Sequence, residues 1–161
     1  MNRIAASFLN ILLLLFITVF SFGISFYFSA STGPTWDEPS YILSGLRHVE
    51  WFQNLSINSF SEKNIETFWK ITTEHPPLAR IFLGLFYFQF SPPLDFFASA
   101  RLFSSLLFAL FNLGSFFFLS KLYSKTLSWF FFLFLLSCPR LIGYTSIATL
   151  DLPLSFLNLF F

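Results

Sequence analysis

Charge is the first thing this chain does without. Of its 161 residues only 11% are Asp, Glu, Lys or Arg, where a soluble domain carries about 25% to cover its surface. That shortage excludes an ordinary water-soluble domain and makes lipid the solvent. A formal net charge of +1 supplies no basic field for nucleic acid. The single cysteine, Cys138, lies in an apolar run. This excludes a disulfide framework or a zinc spacing, and the residue reads as a small buried hydrophobe. No P-loop, dinucleotide fingerprint or metalloprotease helix occurs, and no metal-ligand set is expected.

What the chain has instead is grease: 55% of its residues are hydrophobic and 23% aromatic, with 28 phenylalanines. Ile4 to Phe28 is an apolar run of about 25 residues, roughly 37 Å as a helix, enough to span a bilayer with some tilt. A signal peptide cut near Ser29-Ala30-Ser31 would have an apolar region of only about 7–15 residues, so a retained anchor is expected. Leu102–Ser120 is a second expected span. Leu127–Leu150 is a third, interrupted by Pro139 and Arg140. From Pro153 a further apolar segment begins and stops at Phe161. It is shorter than the roughly 20 residues a span needs, so the chain reads as a fragment or a truncated product that ends in mid-helix.

Between the first two spans lies an external loop, residues 29–101, whose mixed first part, Ser29–Pro77, holds most of the charge. Two stretches in it are amphipathic. In Ser40–Phe52, Ile42, Leu46 and Val49 share a face while Arg47, His48 and Glu50 fall elsewhere. In Ser61–Thr73, Ile65, Phe68, Trp69 and Ile71 alternate with Glu62, Lys63, Glu66 and Lys70. With Trp36, Trp51 and Trp69 spread among them, they are expected to be short helices at the membrane surface. Leu78–Phe90 is apolar apart from Arg80 and Gln89, and too short to cross. Asn54-Leu55-Ser56 fits an N-glycosylation sequon, a pattern common by chance.

The positive-inside rule orients the chain. Arg3 places the N-terminus in the cytoplasm, and Lys121 and Lys125 place the turn between the later spans there as well. The path closes only if Leu78–Phe90 does not cross. Asp37, Glu38, His75, Arg101 and Asp151 then share the non-cytoplasmic face.

Those residues carry the candidate chemistry. Asp37-Glu38-Pro39 precedes a helix that proline can open, which puts one of the acids at the cap. The exposed N–H groups there favour an ionised carboxylate, as a proton-accepting base must be; capping alone is the plain alternative. His75-Pro76-Pro77 repeats the design, and its free N–H groups suit a phosphate oxygen, with Arg80 one turn on. Arg101 stands where a span begins, either snorkelling to the headgroups or clamping a phosphate or carboxylate. Asp151 precedes Pro153, and an acid beside the bilayer has a reason to be there. It either pairs with Arg140, caps the next helix or reaches a substrate.

The order of four segments, "DEPSYILSG", "HPPLARIFLGL", "ARLFSSLLFAL" and "CPRLIGYTSIATLDLPLSF", resembles the N-terminal part of the protein O-mannosyltransferase family and its bacterial relatives, the aminoarabinose transferases of lipid A. The resemblance implies an all-α polytopic membrane fold of the type C glycosyltransferases. It also implies an inverting transfer of sugar from a polyprenyl-phosphate donor to a protein, lipid or glycan hydroxyl on the outer face of a bacterial inner membrane. Asp37 would be the base and Glu38 its neighbour in the acceptor site. His75 and Arg101 would lie near the donor phosphate, and Asp151 would be the acid of the second external loop. Apart from the resemblance, Arg80 and Arg140 are further candidate substrate-binding residues by their charge. No cofactor is implied, and a divalent cation is left open. The rival expectation is a small non-catalytic membrane protein, or an inactive remnant of such an enzyme.

Overall fold

With no proline and almost no charge to interrupt it, the first apolar run forms one long helix, α1 (Arg3–Ser31). The computed structural model describes residues 3–70, 77–151, 153 and 156, and no strand occurs among them. After a short loop come α2 (Glu38–Gln53), a 3₁₀ turn (Ile57–Phe60), α3 (Glu62–Trp69), α4 (Pro77–Phe90), α5 (Phe96–Leu122), α6 (Lys125–Ser137) and α7 (Pro139–Thr145). Two helices, α1 and α5, are long and apolar enough to cross a membrane, or three spans if the bent pair α6–α7 counts as one. This agrees with a membrane protein.

The seam between α1 and α5 is built from small polar residues. Ser21, Ser25 and Ser29, four apart along α1, are all buried, because small side chains let helix backbones approach closely where lipid gives no hydrophobic drive. Ser25 Oγ lies 3.1 Å from Ser105 Oγ and 3.0 Å from the Thr145 carbonyl oxygen, which ties α1 to α5 and to the end of α7. The guanidinium of Arg101, in the second turn of α5, bonds the carbonyls of Ser29 and Thr32 at the end of α1. The two helices are therefore antiparallel, and α5 starts at the end where α1 stops. The chain between them makes no net traverse of the bundle. Three apolar clusters follow α5 along its length. Phe103 packs with Ile42 and Leu83, Phe108 and Phe111 with Leu135, Ile142 and Phe156, and Phe116 with Ile17 and Phe132.

Several expected boundaries shift, each for a local reason. The second span begins at Phe96, not Leu102, because Asp95 caps it: its Oδ1 accepts from the N–H groups of Phe97 and Ala98 at 2.9 and 2.8 Å. Arg101 therefore lies inside the helix. The third span is not continuous over 127–150. It breaks at Cys138–Pro139 into α6 and α7, bent by 72°, since proline lacks the N–H and forces its predecessor out of helical geometry. Cys138 sits half-buried at that break, not within the core.

Of the two expected surface helices, α2 is more embedded than its pattern suggested, whereas α3 has no buried residue. Helix α2 packs along α4 through Gly45 and Gly84. A methyl group on Gly45 would overlap the Arg80 carbonyl, and one on Gly84 would overlap the Gly45 backbone, so the two backbones touch where only glycine fits. His48, placed by periodicity on the polar face, is instead buried. Its ring lies 4.4 Å from that of Trp69. Trp51 and Trp69 stack edge-on with each other and with Phe52, and Trp51 Nε1 donates to the Ser59 carbonyl at 3.1 Å. Two of the three loop tryptophans thus hold α3 onto α2. The third, Trp36, is 96% exposed. Residues 71–73 of the expected second amphipathic helix, and His75, lie outside the described residues.

Candidate active site

The loop after α1 and the start of α2 are organised by one buried ion pair. Glu38, at the first position of α2, turns its side chain inward and is fully buried. Arg101 meets it in a bidentate pair, with Nε donating to Oε1 at 2.8 Å and Nη2 to Oε2 at 2.7 Å. Each carboxylate oxygen accepts a second bond from the backbone, Oε1 from Ala148 N–H at 2.6 Å and Oε2 from Thr35 N–H at 2.8 Å. The remaining guanidinium N–H groups go to the carbonyls of Ser29 (2.7 Å), Thr32 (2.8 Å) and Gly33 (3.0 Å). All five donors of the arginine are used within the protein. Burial pushes the Glu38 carboxyl up. The hydrogen bonds from Arg101, Ala148 and Thr35 and the arginine charge outweigh that and hold it below its ordinary value.

This knot decides between the two readings of Arg101, in favour of a clamp on a carboxylate, and corrects that of Glu38. Arg101 neither snorkels nor presents a free fork to a phosphate; its clamp closes on Glu38, which lies 63 residues earlier in the chain. Glu38 does not cap α2 and is not open to an acceptor. Asp37 occupies the N-cap position, yet its side chain makes no cap hydrogen bond. Only its carbonyl does so, accepting from Tyr41 N–H at 3.1 Å. The Asp37 carboxylate is exposed.

Asp151 is also exposed and follows Ala148 by three residues, so the Glu38–Ala148 bond brings its segment to the start of α2. Among the described residues Asp151 forms no salt bridge with Arg140. Arg140, exposed at the start of α7, lies instead over the ring of Tyr144, 5.7 Å from its centroid, where cation–π attraction holds it. Arg80 is buried between α4 and α2. His48 sits close by, pushed down to about 4 by burial and by the Arg80 charge. Among the described residues neither of its ring nitrogens has a hydrogen-bond partner.

The structure thus collects Asp37, Glu38, Arg101 and Asp151 at one end of the bundle, with the turn carrying Lys121 and Lys125 at the other. Arg80 belongs to the α2–α4 packing. Among the described residues no three His, Cys, Asp or Glu side chains gather as a metal site would need. Pattern reading missed the backbone partners of the knot, the three carbonyls at the end of α1 and the Ala148 N–H, since no side-chain identity marks them. The inward turn of Arg101 did have a marker. Asp95 two residues after Pro93 is a helix-start pattern, and it moves the arginine inward by more than a turn. No protein-family model, curated protein or solved structure matches this chain.

Proposed function

We propose that this chain is part of a membrane glycosyltransferase that moves a sugar from a polyprenyl-phosphate donor onto an acceptor hydroxyl. The observation that carries the reading is the state of Asp37, an exposed carboxylate without a side-chain cap bond on a backbone pinned beside a buried ion pair. Such a group is free to take a proton and fixed enough to be aimed. The acceptor oxygen gives its proton to Asp37 and forms the new bond to the anomeric carbon. The bond from that carbon to the phosphate oxygen breaks, and polyprenyl phosphate leaves with the electron pair. Attack opposite the leaving group inverts the centre. Asp151 borders the same rim and orients the acceptor. Because Arg101 is fully engaged, the charge on the leaving phosphate falls to Arg140, with His75 assigned to it by the sequence resemblance alone. Cations at a developing anion stabilise the transition state strongly. The acceptor is a protein, lipid or glycan hydroxyl, and the site faces the periplasm across a bacterial inner membrane.

The closed Glu38–Arg101 pair also favours a second reading, a non-catalytic membrane protein in which these residues only join helices. One experiment separates the two. In vesicles holding the complete chain with a radiolabelled polyprenyl-phosphate sugar, Asp37→Asn is expected to lower transfer by at least a hundredfold while insertion is unchanged. Transfer within a few-fold of the parent would remove Asp37 from the mechanism, and no transfer by the parent would leave the structural reading.

A further inference from the structure

Trp36 is the most exposed aromatic in the described chain, with 96% of its surface open. Among the described residues it makes no ring contact or hydrogen bond, in contrast to Trp51 and Trp69 in their aromatic cluster. Its backbone is nonetheless held on both sides. Gly33 gives its carbonyl to Arg101, the Thr35 N–H is bonded to the buried Glu38 carboxylate, and the Asp37 carbonyl is bonded within α2. A large ring that no protein atom covers is open to a partner, and a rigid backbone beneath it lowers the entropy lost when something covers it. The neighbour in sequence is Asp37, an exposed carboxylate.

We propose that Trp36 is the sugar platform of this site: its indole face stacks on the C–H face of a pyranose while Asp37 meets a hydroxyl at the ring's edge. This rests on the glycosyl-transfer reading for its location and goes beyond it in assigning the sugar-recognising residue. The chemistry suits both partners. An aromatic face carries partial negative charge that attracts polarised C–H groups, and the indole N–H remains to donate to a sugar oxygen. A flexible anchor in the headgroups would need no such clamping of Gly33, Thr35 and Asp37.

The test uses the complete chain in vesicles and reads Trp36 as the difference in fluorescence between the parent and Trp36→Phe. At 96% exposure the change leaves the packing alone, which an unchanged helical circular dichroism spectrum verifies. The Trp36 signal is expected to be quenched by aqueous iodide and not by brominated lipid. It is expected to shift to shorter wavelength with citronellyl phosphate carrying mannose, glucose, galactose or an aminopentose, and not with bare citronellyl phosphate. Trp36→Ala is expected to bind the best of these roughly three- to tenfold more weakly, with Trp36→Phe closer to the parent. Quenching by brominated lipid would make Trp36 a membrane anchor and overturn the proposal. So would a signal that no sugar headgroup in the panel moves. A sugar-dependent shift without any transfer by the parent would sink the catalytic reading and leave the platform standing.

Discussion

Replacing Glu38 with glutamine changes one oxygen to an NH₂ group and almost nothing in shape, so its cost measures the buried pair. Each carboxylate oxygen accepts two bonds, Oε1 from Arg101 Nε and Ala148 N–H, Oε2 from Arg101 Nη2 and Thr35 N–H. Whichever way the amide turns, its NH₂ faces two donors. Two bonds are lost and two buried donors are left without an acceptor, at about 1–3 kcal/mol each. The guanidinium also loses its counter-charge. The expected loss is about 3–5 kcal/mol, the range for breaking a buried pair by removing one partner. Unfolding equilibria in mixed micelles should show it for Glu38→Gln and again for Arg101→Gln. The double substitution should cost less than the sum by about 2 kcal/mol or more, since the partners are in contact. A loss under about 1 kcal/mol for Glu38→Gln, or strict additivity, would refute the view that this pair joins the bundle. Lowering the pH supplies a second arm. The folded pKa of Glu38 is depressed, so its contribution is present above the unfolded value near 4.5 and is lost as the pH falls through the folded one.

Other consequences are open to measurement. Burial of neutral His48 lowers its pKa from 6.5 to about 4. The unfolded chain then binds the extra proton between those values, and stability is expected to fall by up to about 3 kcal/mol as the pH drops from 6.5 to 4. His48→Leu should flatten that slope, and an unchanged slope would clear His48 of the effect. Gly45→Ala and Gly84→Ala are each expected to force α2 from α4 and cost at least about 2 kcal/mol. Gly23→Ala, with open space around it, should be neutral in the same unfolding assay. Ser25→Ala should cost less than about 1 kcal/mol, the scale of one hydrogen bond between membrane helices, whereas Ser25→Leu should disrupt the α1–α5 seam far more. Single cysteines at Lys121 and at Asp151, labelled with an impermeant reagent in sealed vesicles, are expected to react from opposite sides. Reaction from the same side would contradict the antiparallel arrangement.

The helices themselves were largely legible. A long uninterrupted apolar run needs no partner to be read as α1, and Asp37-Glu38-Pro39 marks the start of α2 where the structure begins it. The run at Leu78–Phe90 is short, and it forms the 14-residue helix α4, below the length of a span. Partnerships were not legible, because periodicity reports which face is apolar and not what covers it. His48 and Trp51 look like a polar face and an anchor until α3 and α4 are laid against them. The match of Arg101 with Glu38 depends on a helix cap at Asp95 and on three carbonyls, none of which appears in a pattern of side-chain types. The contact of Gly45 with Gly84 joins two positions whose glycines have no visible relation in the chain. The serine spacing along α1 was there to be read as a packing seam, but serine in an apolar run attracts little notice.

The kink at Cys138–Pro139 has a bearing on the solvent itself. Helix α6 has 13 residues, about 20 Å of rise, against a hydrocarbon core of about 30 Å. Beyond it the backbone veers by 72°, and the main chain freed by the proline needs protein or water as company. Lipid beside a span that short thins to match it or is met by flanking residues that reach out, each at a modest cost per ångström of mismatch.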